Sequence, residues 1–165
     1  MATITLRPAE PADSAQLLAF IQGLADYERE PDAVEATEEH LRRTLFAGEP
    51  KVFGIIAELD GAPAGFAIYF YNYSTWLGRH GLYLEDLYVD PALRGRGVGL
   101  ALLRHLARTA VAEGCGRFEW MVLDWNEPAI DFYRAAGAVP MDEWTVYRLS
   151  GAALEQFAGD DGETS

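Results

Sequence analysis

The stretch Leu87–Leu103, LYVDPALRGRGVGLALL, runs from an apolar strand-like segment through two arginines and three glycines into an apolar helix-like segment. A helix N-terminus leaves backbone N–H groups unpaired and carries roughly half a positive charge. Glycines let a phosphate approach the backbone closely and take φ angles that turn consecutive N–H groups inward. RGRGVG, Arg94–Gly99, therefore reads as a cradle for a phosphate or pyrophosphate, with arginines beside it. Two common phosphate loops do not fit. The nucleotide P-loop needs Lys and then Ser or Thr after its last glycine, but Leu100 and Ala101 follow Gly99. The dinucleotide turn needs a third glycine where Leu100 stands, and DPAL separates strand from glycines where that turn is tight. What remains is Arg-x-x-Gly-x-Gly, made by Arg94, Gly97 and Gly99. On the hexapeptide alone, glycines that merely permit a tight loop stay open as the alternative.

Working outward, the chain alternates helical and strand periodicities. ATITLRP reads as a first strand that breaks at Pro8, and Asp13 as a cap for a helix with Leu17, Leu18, Phe20, Ile21, Leu24 and Ala25 at helical spacing. Thr37 followed by Glu38 and Glu39 predicts a second helix start. KVFGIIAEL and APAGFAIYFYNY, joined by DGAP, predict a hairpin, and GLYLEDLYVD a third strand beside it. Val98–Glu113 is a helix with one apolar face, ended by Gly114 and Gly116. RFEWMVLDW predicts a strand buried on both faces, EPAIDFYRAAGA a short helix, and EWTVYRL a last strand. Hairpin strands followed by a strand–helix–strand crossover indicate a mixed α/β sheet.

At 165 residues the expectation is one domain, residues 1–158, with a disordered tail over 159–165. The formal charge is −13, from 26 acidic residues against 13 Lys and Arg, which argues against nucleic acid as partner and suits a cationic substrate. No apolar run is long enough to span a bilayer, so no membrane partner is expected. The single cysteine, Cys115, agrees with a reducing cytoplasm. His40, His80 and His105 have no metal-ligand spacing, so no metal is expected.

With these motifs in hand, the sequence resembles the GNAT N-acetyltransferase superfamily, whose Arg/Gln-x-x-Gly-x-Gly/Ala loop binds the pyrophosphate of acetyl-coenzyme A. A second matching feature is NEPAIDFYRAAGA, Asn126–Ala138, in which Asn precedes a helix carrying Phe-Tyr and then Gly. Within that superfamily the chain is most similar to the diamine (spermidine/spermine) and thialysine acetyltransferases, on LADYERE, LYLEDLYV and WNEPAIDFY. The likeness runs from LRPAEPAD to WTVYRL, with a shorter hairpin at Asp60–Pro63 and a shorter segment between Gly137 and Trp144. The implied fold is a central mixed, mostly antiparallel twisted sheet flanked by helices, with acetyl-CoA at splayed central strands.

The resemblance also implies roles. The backbone of Leu87, Tyr88 and Val89 pairs with the pantetheine arm. Arg94, Gly95, Arg96, Gly97, Val98, Gly99 and Leu100 hold the pyrophosphate, and Asn126, Pro128 and Ala129 complete the coenzyme site. Tyr133 lies near the thioester sulfur, where a phenol aids thiolate departure; without the motif, Phe132-Tyr133 reads as helix packing. Glu85 binds the substrate ammonium and, through water, helps remove its proton; an alkyl ammonium with a pKa of about 10.4 must lose that proton before attack. Consecutive strand residues face opposite ways, so Glu85 or Asp86 points inward, and Asp86 reads as a hydrogen-bonded anchor. Tyr27 and Glu28 match a substrate-binding pair, although YERE alone reads as a solvated helix end. Trp76 is a candidate cap for the same pocket.

The implied activity is acetyl transfer from acetyl-CoA to the primary amine of a small cationic substrate, by direct attack in a ternary complex, in a cytoplasmic homodimer. The alternatives are a non-catalytic acyl-CoA-binding module and an enzyme acting on another amine such as an aminoglycoside or peptide.

Overall fold

The structure is a computed structural model that describes residues 1–159. The expected tail beyond Gly159 lies outside the described residues. The chain divides into two compact units, Met1–Leu123 and the segment from Asp124 onward.

The first unit is built on a five-stranded sheet in the order β1-β2-β3-β4-β5: β1 Ile4–Pro8, β2 Phe53–Leu59, β3 Ala62–Ser74, β4 Arg79–Val89 and β5 Phe118–Trp120. The first four strands pair antiparallel and β5 joins β4 in parallel. DGAP makes the predicted hairpin: Asp60 and Gly61 take φ of 51° and 83°, the left-handed pair of a two-residue turn matched to strand twist. Helix α1, Ser14–Tyr27, follows Asp13. The Asp13 carboxylate leaves the cap and accepts from the Arg7 guanidinium at 2.7 and 2.8 Å and from the Glu10 N–H at 2.7 Å. Thr37 does cap the short α2, Glu38–Leu41, its hydroxyl accepting from the His40 N–H at 3.2 Å. A π-helical turn, Arg42–Phe46, continues it. Helix α3, Val98–Ala112, buries Val98, Leu102, Leu103, Leu106 and Ala110.

The two helix layers cover opposite sheet faces. On one, Leu17 and Phe20 of α1 pack with Leu45, Ile56, Phe66, Ile68 and Tyr88. The rings of Phe20 and Phe66 stack with centroids 5.8 Å apart. On the other, the first turn of α3 lies against Leu87 and Val89, the residues flanking Tyr88, as strand alternation requires. Phe66 is fully buried between strands and α1. Phe66→Ala is expected to cost about 3–5 kcal/mol, read as a lowered urea midpoint with unchanged slope.

The second unit holds α4, Glu127–Ala135, and α5, Gly151–Gly159. Helix α4 ends as the sequence predicts, at Gly137 with φ 93°. Two expectations fail. EWTVYRL forms no strand, and Trp144, Val146 and Tyr147 are exposed. RFEWMVLDW yields only the three-residue β5, each residue half-buried rather than covered on both faces. Helix α5 was not anticipated.

Candidate active site

The glycine loop owes its shape to backbone conformation. Gly95 and Gly97 take φ of 78° and 88°, the left-handed region closed to most side chains, and Gly97 sits directly before α3. An added Cβ at Gly95 would meet nothing within 4 Å, so space around the loop is open. Gly97 has no side chain to cap the helix, and the first intrahelical bond runs from the Ala101 N–H to the Gly97 carbonyl at 3.0 Å. The N–H groups of Val98, Gly99 and Leu100 therefore precede the helical ladder. Buried Val98 anchors the turn, while Arg94 and Arg96 are exposed. Donors, dipole and cationic side chains fit a pyrophosphate. Gly97→Val, which strains the left-handed position, is expected to weaken coenzyme binding at least about tenfold, measured by calorimetric titration.

Arg94 also makes a connection the sequence did not suggest. Its guanidinium carbon lies 4.7 Å from the centroid of the Tyr27 ring, and its Nε donates to the Val89 carbonyl at 3.3 Å. The loop and the C-terminal end of α1 are thus tied by a cation–π contact.

The strand before the loop opens where its chemistry is concentrated. The parallel pairing of β4 with β5 covers Leu82–Phe118, Tyr83–Glu119 and Leu84–Trp120 and then stops. From Glu85 to Val89, β4 has no strand on that side among the described residues. At the same point its register with β3 slips. Tyr69 opposes Leu84, Ile68 opposes Asp86, and Glu85 is the extra residue of a bulge. The bulge lets Glu85 stay exposed while Asp86 turns toward the face of Ile68. Burial, together with the nearby charges of Glu85 and Glu28, pushes the Asp86 carboxyl up to about 6. Burial likewise raises Glu28, just past α1. The expected hydrogen-bonded anchor at Asp86 is therefore corrected: it forms no ion pair or hydrogen bond among the described residues, and its environment is other carboxylates.

That sheet face continues past the carboxylates. Phe70 and Tyr83 are register partners with rings 5.0 Å apart, and the Tyr83 phenol is raised by burial and by Glu85 and Glu119. One step further, Asn72 opposes Gly81. An added Cβ at Gly81 would collide with the Asn72 Oδ1 and lie 3.1 Å from the Arg117 Cγ. The missing side chain is what admits both groups over the strand. The Asn72 Nδ2 donates to the Glu119 Oε1 at 3.1 Å, and the Arg117 Nε reaches the same oxygen at 2.8 Å. Sequence reasoning missed this network; the signal was Glu119 standing between Phe118 and Trp120, which alternation puts on the face opposite both aromatics.

Trp76 projects from the β3–β4 turn and is 90% exposed. In the second unit, Asn126 precedes α4 and its carbonyl accepts from the Ile130 N–H at 3.0 Å. Pro128 and Ala129 lie in the first turn, where a missing proline N–H costs nothing. Tyr133 lies in the last turn of the helix, its ring 5.6 Å from that of Phe132.

Comparison with known proteins gives the family. The model of the acetyltransferase (GNAT) family matches residues 17–138. The chain belongs to the GNAT acetyltransferase family. Among whole-length relatives, the thialysine N-epsilon-acetyltransferase of Sus scrofa is 38% identical over 96% of this chain and 99% of that protein. The spermidine/spermine N(1)-acetyltransferase-like protein 1 of Homo sapiens is 32% identical over 94% of this chain and 24% of that protein. Among solved structures, an integron cassette protein from V. cholerae superposes with a TM-score of 0.79 and 28% identity, covering 94% of this chain and 98% of that one. This GNAT protein is an N-acetyltransferase, and its mixed, mostly antiparallel sheet flanked by helices is the fold expected from the sequence. Members of the GNAT family use acetyl-CoA as co-substrate.

Proposed function

We propose that this GNAT enzyme acetylates a small cationic primary amine of the polyamine or thialysine/lysine type, by direct attack in a ternary complex. The observation that carries the reading is the trio Glu28, Glu85 and Asp86, set where β4 loses its β5 partner and leads into the glycine loop. A group of three carboxylates, with Glu28 and Asp86 part-buried and Glu85 exposed, attracts a compact cation and repels anionic acceptors.

Acetyl-CoA, when bound, supplies the acetyl thioester. The N–H groups of the Gly95–Leu100 loop, with Arg94 and Arg96, hold the pyrophosphate. The unpaired edge of β4 at Leu87, Tyr88 and Val89 offers backbone groups to the pantetheine arm; the Tyr88 side chain is buried in the core, so only its backbone serves there. Asn126, Pro128 and Ala129 complete this site. Glu28 and Glu85 orient the substrate ammonium, with Tyr27 and Trp76 contributing aromatic surface. Glu85, with Asp86 beside it, receives the ammonium proton through water, leaving a neutral nitrogen to attack the carbonyl carbon. The Tyr133 hydroxyl donates a proton to the departing sulfur and recovers one, through water, from the attacking nitrogen as the amide forms. This assignment treats residues 1–158 as one functional domain.

Direct attack predicts that initial-rate lines at several fixed amine concentrations intersect. It also predicts that acetyl-CoA alone leaves the protein mass unchanged; a stable acetyl-enzyme would overturn the ternary route. A homodimer is part of the reading, supported by the exposed apolar side chains of Trp144, Val146 and Tyr147, and a cytoplasmic location by the free thiol of Cys115.

A further inference from the structure

The geometry points to Arg117 and Glu119 as the residues that recognise the α-amino-acid head of the acceptor, selecting amino-acid amines over diamines of the same length. The inference rests on the function proposed above and names the other end of that site.

Three observations carry it. First, the pair shares a face with the carboxylates. Ile68, Phe70 and Asn72 alternate along one side of β3, opposite Asp86, Tyr83 and Gly81. Over Gly81 lie both the Asn72 amide and the Arg117 stem, and Glu119 accepts from Asn72. The face thus runs from Asp86 across the Phe70–Tyr83 rings to the Arg117–Glu119 pair.

Second, the pair is half satisfied in a particular way. Both contacts of Glu119 fall on Oε1. Arg117 uses Nε for Glu119 and Nη2 for the Tyr73 carbonyl, at 3.3 Å. Glu119 Oε2 and Arg117 Nη1 have no protein partner among the described residues. A carboxylate oxygen and a guanidinium N–H of one ion pair are thereby left adjacent, and side-chain exposures of 35% and 42% keep them accessible. An α-ammonium and an α-carboxylate on one carbon complement such a couple, whereas a diamine end offers only a cation and leaves the guanidinium unused.

Third, the spacing fits. Tyr83 opposes Glu119, and Glu85 and Asp86 lie two and three residues further along β4. With about 3.3 Å per residue and about 4.8 Å between strands, the backbone separation is roughly 8–11 Å. A lysine-like side chain places about five bonds of roughly 1.5 Å between reacting nitrogen and α-carbon. The inward reach of the side chains at both ends takes up the difference. Phe70 and Tyr83 provide an apolar floor for the methylenes between.

The test uses matched acceptors that differ only by the α-carboxylate: lysine against cadaverine, and ornithine against putrescine. The quantity read is the ratio of kcat/KM for amino acid over diamine. Wild-type protein is expected to favour the amino acid in at least one pair. Arg117→Met should lower that ratio about tenfold, the scale of one lost charge-assisted contact at a part-exposed site. Arg117→Lys, which keeps the charge, should restore part of it. Glu119→Gln should raise KM for amino acids and diamines alike relative to pentylamine, which has no second ammonium. A ratio unmoved by Arg117→Met, or a wild-type preference for the diamine in both pairs, overturns the inference while leaving acetyl transfer intact. Absence of turnover with every amine would instead remove the proposed function, and this inference with it.

Discussion

Tyr133→Phe is expected to lower kcat about 10²–10⁴-fold, the range for removing a positioned proton donor. The loss should fall on kcat, with coenzyme affinity held within about threefold, because the ring and its contact with Phe132 on α4 are kept. The reason lies in the leaving group. Attack by an amine expels a thiolate from the acetyl thioester, and a phenol at the sulfur stabilises charge that exists only as that bond breaks. A purely packing role for Tyr133 would leave kcat unchanged, since Phe fills the same space without the hydroxyl. Stopped-flow acetyl transfer, which isolates chemistry from product release, is the measurement that separates the two.

Asp86→Asn should move activity and stability in opposite directions. In the folded protein the Asp86 carboxyl holds its proton up to about pH 6, whereas its ordinary value is 3.8. The folded state binds that proton more tightly, so stability falls as pH rises from about 4 to about 6 and stays lower above. The gap corresponds to roughly 2–3 kcal/mol at pH 7. Asn removes the buried charge, so the variant should be more stable than wild type at pH 7, with the advantage vanishing near pH 4. At the same time kcat/KM for the amine should drop about 10²-fold if Asp86 shares in receiving the ammonium proton. The wild-type kcat/KM profile should lose activity below about pH 6 as the carboxyl protonates. Thermal melts at pH 4 and pH 7 beside rate profiles read both effects. A structural Asp86 would give a stability change with no rate loss.

How far the sequence alone reaches can be judged residue by residue. Gly95, Gly97 and the start of α3 were legible because their signal is local: left-handed glycines and an uncapped helix start are written in one hexapeptide. The hairpin at Asp60–Gly61 and the strand at Leu82–Val89 were legible for the same reason. The carboxylates were found, but the hydrogen bond expected at the inward Asp86 is absent among the described residues. Alternation says only that Glu85 and Asp86 face opposite ways, and the bulge that decides which one is buried depends on β3 pairing, which no local pattern encodes. Arg117, Glu119 and Asn72 stayed hidden because their convergence depends on the absence of a side chain at Gly81, some 36 to 38 positions away in the chain from the two β5-end residues and on another strand. EWTVYRL shows the converse. Its alternation is strand-like, yet a strand exists only where its backbone pairs with another, and local alternation does not encode that partner.

The most direct test of the central claim is product analysis. Protein, acetyl-CoA and a panel of spermidine, spermine, putrescine, thialysine, lysine and an aminoglycoside would be followed by free-thiol titration and by mass spectrometry of the amine. The account predicts one equivalent of coenzyme A thiol per mono-acetylated small amine, from a polyamine or a thialysine/lysine-type acceptor. Tight acetyl-CoA binding with no acetylated amine anywhere in the panel would contradict it and leave a binding module in its place.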